Sequence, residues 1–437
     1  MQIILLSGGS GKRLWPLSNE IRSKQFIKIF RKEDGSFESM VQRVVRQIRR
    51  ADSDAELTIA TSKTQLSSIH NQLGDAVGVS IEPCRRDTFP AIAIASSYLH
   101  DIRHVERDEA VIVCPVDPYV EDSYFETLKT IAAQVDKGEA NLVLMGIEPT
   151  YPSDKYGYII PQKASRIGIV DRFVEKPDKT SAAAYIRNGA LWNGGVFGYK
   201  LGYLLDKTEE VLGNSSYSFL YDHYESLQKI SFDYAVVEKE PVIQFVRYDG
   251  EWKDIGTWNT LTEAMTEQVI GNGILDDTCD NVHILNELDL PILAMGLKDV
   301  VISASPDGIL VSDKVQSGYI KQYVDKLGQE VKYAEKSWGE YRVLQVDHDS
   351  LTAQIVIRAG ASMSYHSHQH RDEVWTITSG NGYVVVDGME RKVAPGEVIA
   401  VNAGCRHTIR AETEMRMIEV QLGREISAYD KQKFELD

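Results

Sequence analysis

The residues best suited to chemistry begin with Ser7-Gly8-Gly9-Ser10-Gly11-Lys12-Arg13. Three glycines in five residues free the backbone for positive φ and let a ligand approach the main chain closely. Bare N–H groups in such a loop form an anion nest, and Lys12 and Arg13 add charge suited to a polyphosphate. The spacing is neither the P-loop Gly-Lys-Ser/Thr nor the dinucleotide G-x-G-x-x-G. The same residues also fit a plain glycine-rich turn under a helix. Two carboxylates give a second signal: Asp117, just past an apolar strand, and Asp254, between Trp252 and Trp258 and two residues from Gly256. A carboxylate at a strand end beside a triphosphate offers the hard oxygen ligands that Mg²⁺ takes. A solvated loop or a helix cap is the other home for such an aspartate. Between them, Tyr156-Gly157-Tyr158 offers a glycine where a flat ligand could approach. Glu175-Lys176-Pro177 is an acid–base pair, and Trp192-Asn193-Gly194-Gly195 an amide suited to hydroxyl groups.

The elements that must position these residues alternate in type. Apolar runs at Ile3–Leu6, Leu57–Thr61, Val79–Pro83 and Ala110–Pro115 are separated by helix-like stretches over 39–50, 64–73 and 91–99. Such alternation predicts an α/β fold with a doubly wound, Rossmann-like sheet, whose ligands gather beyond the carboxyl ends of the strands. The glycine loop, the Arg85–Asp87 turn and Asp117 all fall on that edge. Short strands with turn residues recur over 281–327 and predict a β-rich connector, and 338 onward reads as all-β. The predicted domains are 1–265, 266–330 and 331–437.

A net charge of −16 argues against holding nucleic acid by bulk charge. The four scattered cysteines, with no CxxC, form neither a disulfide framework nor a zinc ribbon. No apolar run approaches ~18 residues, so neither a signal peptide nor a membrane span is expected, and the expected location is cytoplasmic.

Ordered motifs over residues 1 to about 260 resemble the sugar-phosphate nucleotidyltransferases, and specifically the long bacterial mannose-1-phosphate guanylyltransferase (GDP-mannose pyrophosphorylase) family. They are Leu6-Ser7-Gly8-Gly9-Ser10-Gly11 through Arg13-Leu14-Trp15-Pro16-Leu17, Lys24-Gln25-Phe26, Glu82-Pro83, Arg86 with Thr88 and Pro90, and Pro115 with Asp117. Then come Tyr156-Gly157-Tyr158-Ile159, Phe173-Val174-Glu175-Lys176-Pro177, Trp192-Asn193, Ser231-Phe232-Asp233-Tyr234-Ala235, and Asp254 with Gly256 and Trp258. The resemblance implies in-line attack of mannose 1-phosphate on the α-phosphate of GTP, releasing pyrophosphate. It implies nucleotide binding by Leu6, Gly8, Gly9, Gly11, Lys12, Arg13, Glu82, Arg86 and Asp87. Lys24 would stabilise charge at the α-phosphate, Asp117 and Asp254 would hold Mg²⁺, and Arg13, Lys24, Asp117 and Asp254 would form the catalytic set. Glu175 and Lys176 would grip the sugar phosphate, while Asn193 and Gly157 would read the sugar. A homodimer is the implied assembly. The chain departs from the family pattern at Lys12, usually Thr, at Ser23, usually Pro, and in the turn Arg86-Asp87-Thr88-Phe89-Pro90, usually Arg-Asn-Thr-Ala-Pro. A transferase for another nucleotide or sugar 1-phosphate is the alternative.

The C-terminal part has the spacing G-x5-H-x-H-x4-E-x6-G at Gly360, His366, His368, Glu373 and Gly380, followed by Gly396, Gly404 and His407. It resembles the cupin jelly roll. His366, His368, Glu373 and His407 are its implied ligands for a divalent transition metal: Zn, Fe, Mn or Ni. His370-Arg371-Asp372-Glu373-Val374-Trp375 is similar to a type II mannose-6-phosphate isomerase segment, with Val374 and Lys433 replacing the usual His and Arg. Isomerisation of mannose 6-phosphate and fructose 6-phosphate is the second activity this likeness raises, with those two replacements pointing to weak turnover.

Overall fold

The computed structural model describes every residue except Ser10, Gly11, Glu20, 328–330, Glu425, 428–429 and 436–437. The chain forms two compact units: 1–10 with 25–266, and 11–24 with 267–437.

The first unit is built on a nine-stranded sheet. Its strands are β1 (Gln2–Leu6), β2 (Glu56–Ser62), β3 (Gly78–Glu82), β4 (Ala110–Pro115), β5 (Leu142–Ile147), β6 (Tyr158–Pro161), β7 (Ile167–Val174), β8 (Leu191–Lys200) and β9 (Ile243–Tyr248). They lie in the order β3-β2-β1-β4-β8-β5-β9-β7-β6. β1 runs parallel to β2 and β4, and Ile3, Ile4 and Leu5 are fully buried, as a strand covered on both faces requires. The expected parallel sheet holds only for its first half. β8 runs antiparallel to β4, β5 and β6, so the far half is mixed.

Helix α1 (Met40–Ala51) starts on a capping box in which the Ser39 hydroxyl accepts from the Gln42 N–H. Helix α2 (Thr88–Asp101) is apolar nearly all round and buried against β1, β2 and β3, which its small residues allow. The aromatic stretch at 155–159 becomes strand only from Tyr158. The Tyr158 hydroxyl accepts from the Ser153 N–H at 2.9 Å, holding 153–157 as a loop.

In the second unit, parallel strands Val269–Ile270, His283–Asn286 and Val300–Ser305 stack beside a second parallel pair, Gly273–Leu275 and Ile292–Ala294. A tight turn at Pro306-Asp307 sends Gly308–Asp313 back antiparallel. The connector also holds a short helix, Lys321–Leu327, where only strands were expected. Beyond it, a six-stranded and a five-stranded sheet form a jelly roll with Trp375, Ile377, Met415 and Met417 in its core. Among the described residues, no helix is long and apolar enough to cross a membrane.

Candidate functional site

The carboxyl ends of β1, β3 and β4 open onto a cavity of about 420 Å³. Leu6, Gly8, Gly9, Glu82, Arg86, Asp87 and Asp117 all line it. A Cβ at Gly8 or Gly9 would meet nothing within 4 Å, and Gly9 has φ +124°, so this main chain faces open space in a backbone state glycine favours. Gln25 donates from Nε2 to the Ser7 main-chain O (3.2 Å) and Oγ (3.0 Å), and Arg85 Nη2 donates to Gly9 O at 3.0 Å. The loop is therefore fixed from behind and open in front. Gly11 lies outside the described residues.

Asp87 has a nearer task than a base. Its φ is +72°, and its carboxylate accepts from the Thr88 N–H at 2.8 Å as the cap of α2. Glu82 faces the cavity with its carboxyl pushed up to about 7 by burial, although the Tyr224 hydroxyl, 3.0 Å away, favours the charged form. Arg86 Nε donates to Tyr224 O at 3.3 Å, so Tyr224 steadies both groups. Arg85, expected on this edge, also lines the cavity, as does Lys229, which the sequence reading did not single out.

Asp117 and Asp254 come together through a two-stranded ladder. Pro118–Val120 pairs antiparallel with Trp252–Asp254, and Asp254 lies opposite Pro118, one residue from Asp117. Neighbours in such a ladder have Cα atoms about 4.5–5.5 Å apart. A Cβ at Gly256 would sit 3.4 Å from both Asp254 carboxylate oxygens, so the carboxylate folds back over that glycine. The Tyr156 hydroxyl is held well above its ordinary range by burial first and by the Asp254 charge next, with Asp117 contributing. Tyr156 is thus a member of this site, packed with Trp192 and Trp252 at ring separations of 5.0 and 5.4 Å. Two carboxylates on adjacent positions are a donor set that fits Mg²⁺.

The expected sugar residues also converge. The Asn193 N–H donates to Gly157 O at 2.8 Å, and the Asn193 side chain donates to Asp233 at 2.8 Å while accepting from the Gly195 N–H at 3.1 Å. Lys176, at φ +45°, donates to the buried Glu175 carboxylate. Gly157 has a different reason for being glycine than close approach of a ligand. A Cβ there would lie 2.6 Å from Glu175 Oε2 and 2.7 Å from the Phe173 ring.

Asp233 is the acid the sequence reading did not place in the site. It is half-buried, and its carboxyl is pushed up to about 7, by burial first and by the Glu175 charge next. An acid whose folded pKa is raised binds its proton more tightly when folded, so stability is lost as pH rises from about 4 to about 7. Asp233→Asn is expected to raise the melting temperature at pH 8 by about 1–2 °C, the effect of roughly 1 kcal/mol in a chain or unit this size after solvent screening. At pH 4 the gain should vanish. An equal gain at both pH values, read by calorimetry, would detach the effect from this carboxyl.

Lys12, Arg13 and Lys24 belong to the second unit. Lys12 and Arg13 lie on the short turn Lys12–Leu14, with Arg13 exposed, and Lys24 begins the turn Lys24–Phe26.

The second unit holds a separate cluster. His366 pairs in register with His407, and the ligating atoms of His366, His368 and His407 lie within 4.8 Å of one another. Each Nδ1 faces a main-chain carbonyl: Ser364 O at 2.6 Å for His366, Cys405 O at 3.0 Å for His407, and Asp430 O for His368. A carbonyl only accepts, so each Nδ1 carries the proton and each Nε2 presents a lone pair. His407 Nε2 is buried without a hydrogen-bond partner. Glu373 reaches to 3.1 Å from His368 Nε2 and 3.4 Å from His407 Nε2. Lone pairs facing a carboxylate call for a cation, and the Arg371 guanidinium supplies part of it at 3.0 Å from both Glu373 and His368. The His366 ring is pushed down to about 3 by burial first and the Lys431 charge next, so it stays neutral near pH 7. This donor set fits a divalent transition metal. Val374, read in the sequence as a lost site group, faces away from it: Glu373 and Trp375 are buried on one face of the strand and Val374 lies on the other.

An α/β sheet with a glycine-loop cavity at its carboxyl edge, and a short ladder that sets Asp254 opposite Pro118 beside Asp117, is the frame of a nucleotide-handling transferase. The Nucleotidyl transferase family matches residues 2–269, and the chain belongs to it. The Mannose-6-phosphate isomerase C-terminal family matches residues 325–436. The Mannose-1-phosphate guanylyltransferase of Klebsiella pneumoniae is 27% identical over 466 residues, covering 96% of this chain and 95% of its own. The Xanthan biosynthesis protein XanB of Xanthomonas campestris pv. campestris (strain B100) is 28% identical, covering 99% and 97%. A solved structure, the mannose-1-phosphate geranyltransferase from Thermus thermophilus, is 26% identical with TM-score 0.63, covering 75% of this chain and 99% of that one.

Proposed function

We propose that the protein transfers a guanylyl group from GTP to mannose 1-phosphate, forming GDP-mannose and pyrophosphate. The observation that carries the reading is the pairing of Asp254 opposite Pro118, which sets it beside Asp117 at the edge of the glycine-loop cavity. The nucleophile is already an anion, so the reaction needs positioning and charge neutralisation more than a general base. Mg²⁺ held by Asp117 and Asp254 would screen the repulsion between the two phosphate groups. The Gly8 and Gly9 amides bind the triphosphate. Glu175 and Lys176 hold the sugar phosphate, and Asn193, fixed by Asp233 and Gly195, presents its amide to the sugar.

Base choice rests on Glu82, Arg86 and the turn at Asp87. Since the Asp87 carboxylate already accepts from the Thr88 N–H, it has less to offer the donors of guanine. GTP is expected to be preferred among four nucleoside triphosphates tested with several sugar 1-phosphates. Pyrophosphate release that favours CTP, UTP or ATP would overturn the guanylyl assignment and leave the transferase standing. The His366, His368, Glu373 and His407 cluster is proposed to bind one divalent transition metal.

A further inference from the structure

β3 ends at Glu82, two strands beyond β1 in the order β3-β2-β1-β4. The glycine loop follows β1, and Asp117 lies two residues past the end of β4. A triphosphate held between them leaves the base to run the other way, toward β3. At a strand spacing of about 4.7–4.9 Å, that end of the edge is about 10 Å from the loop. Glu82 is half-buried there on the cavity wall. Tyr224, fully buried against Ile94, Leu220 and Leu227, donates its hydroxyl to Glu82 Oε2 at 3.0 Å. Burial first, and the Glu82 charge next, hold that hydroxyl well above its ordinary range, so it stays a donor across neutral pH. The Tyr224 main-chain O accepts from Arg86 Nε at 3.3 Å and from the Leu227 N–H at 3.2 Å, which fixes the residue at its other end. All of these groups belong to the first unit.

We propose that Tyr224 is a positioning residue for base choice: its hydroxyl holds the Glu82 carboxylate turned so that the two oxygens accept from N1–H and the 2-amino group of guanine. This rests on the guanylyl reading above. Each carboxylate oxygen has two lone pairs, so Oε2 accepts from Tyr224 and still has one to offer. Guanine sets two donors side by side on that edge, whereas adenine puts an acceptor at N1. The last torsion of a glutamate is broad, and a charge-assisted hydrogen bond to one oxygen narrows it. The same bond favours the charged form, as does the Arg85 charge, against the burial that pushes the carboxyl up to about 7. Among the described residues, Cys84, Arg86, Asp87, Asp117 and Lys229 are the other titratable groups on this cavity.

Inosine triphosphate (ITP), which is GTP without the 2-amino group, is the probe, used on the full chain. Wild type should favour GTP over ITP about tenfold or more in kcat/KM, the factor of one hydrogen bond to a charged group. Tyr224→Phe keeps the ring in its apolar place and removes the donor. The two nucleotides should then come near parity at pH 7, through the nucleotide KM, with KM for mannose 1-phosphate unchanged. The ratio should also follow pH, since only the ionised carboxylate accepts both donors. In wild type it should grow as pH rises through about 7, and in Tyr224→Phe that rise should move to higher pH. A ratio cancels whatever the shared triphosphate does over the same span. Glu82→Gln, which drops the charge, should lose the preference at every pH, and serves if Tyr224→Phe misfolds. An unchanged ratio and pH course in Tyr224→Phe would overturn the positioning role and leave the transferase standing. So would a wild type that takes GTP and ITP alike, or a preference kept in Glu82→Gln. If the wild type releases no pyrophosphate from GTP, the function proposed above fails first. Equilibrium binding of Mg²⁺-GTP and Mg²⁺-ITP then decides, and equal affinity ratios in wild type and Tyr224→Phe would refute the role.

Discussion

Asp117→Ala is expected to lower Mg²⁺-dependent pyrophosphate release at least about a hundredfold, and Asp254→Ala to do the same. Both side chains sit at the end of a two-stranded ladder whose register brings them together. Neither variant touches the apolar centre of the sheet, so near-ultraviolet circular dichroism should be unchanged. The loss comes from charge: a cation shared by two carboxylates and a polyphosphate is poorly held by one. Raising Mg²⁺ should recover part of the rate in either single variant and little in the double. Near-normal turnover of either single variant at low Mg²⁺ would refute the two-carboxylate assignment. Asp254 is the sharper test, because Gly256 lets its carboxylate fold back and no other acid lies at the adjacent ladder positions, Lys253 and Trp252.

The second large effect is expected in the jelly roll. His368→Ala should take the bound transition metal from about one per chain to near zero by elemental analysis, and His407→Ala should match it. Three imidazoles held by their Nδ1 protons leave three Nε2 lone pairs converging beside Glu373. Removing one leaves a site with fewer ligands than a structural or catalytic ion ordinarily keeps. Chelation of the wild type should lower its melting temperature, since an ion that binds only the folded form stabilises it by mass action. The transferase rate should not change. Equal metal content in wild type and His368→Ala would remove the site.

The parts of this architecture set by short-range pattern were legible beforehand. Ile3 to Leu6 reads as a buried strand because consecutive apolar residues suit a sheet covered on both faces, and the loop behind it then falls on the carboxyl edge. His366, His368 and Glu373 were legible as a cluster because their spacing resembles the cupin pattern, although the strand itself covers only His366–Ser367 and His368 lies just past it. What escaped depends on contacts between distant residues. The antiparallel run of β8 is decided by the β4 and β5 edges it meets, not by the composition of 191–200. Gly157 looked like room for a ligand and is room for Glu175 and Phe173. Asp87 offered acceptors that suit either a base or the end of a helix, and only the fold, with its positive φ there, decides for the cap on Thr88. Asp233 entered the sequence reading only as part of the motif Ser231-Phe232-Asp233-Tyr234-Ala235, and only the approach of Glu175 and Asn193 gives it a role.

The anchoring of residues 12–24 within the second unit has a consequence for the order of events during synthesis. Arg22 donates to Glu287, 265 positions on, and Asn19 to the Tyr333 main-chain O, 314 on. At ribosomal speeds of about 5–20 residues per second, Arg22 is made roughly 13–53 s before its partner exists. The nine-stranded sheet, whose strands end at Tyr248, can therefore be complete while this segment still lacks the residues that hold it. Late closure of so long a loop is a source of slow final steps. A nascent chain halted before Glu287 would carry every strand of that sheet while Asn19 and Arg22 still lack the residues they bond.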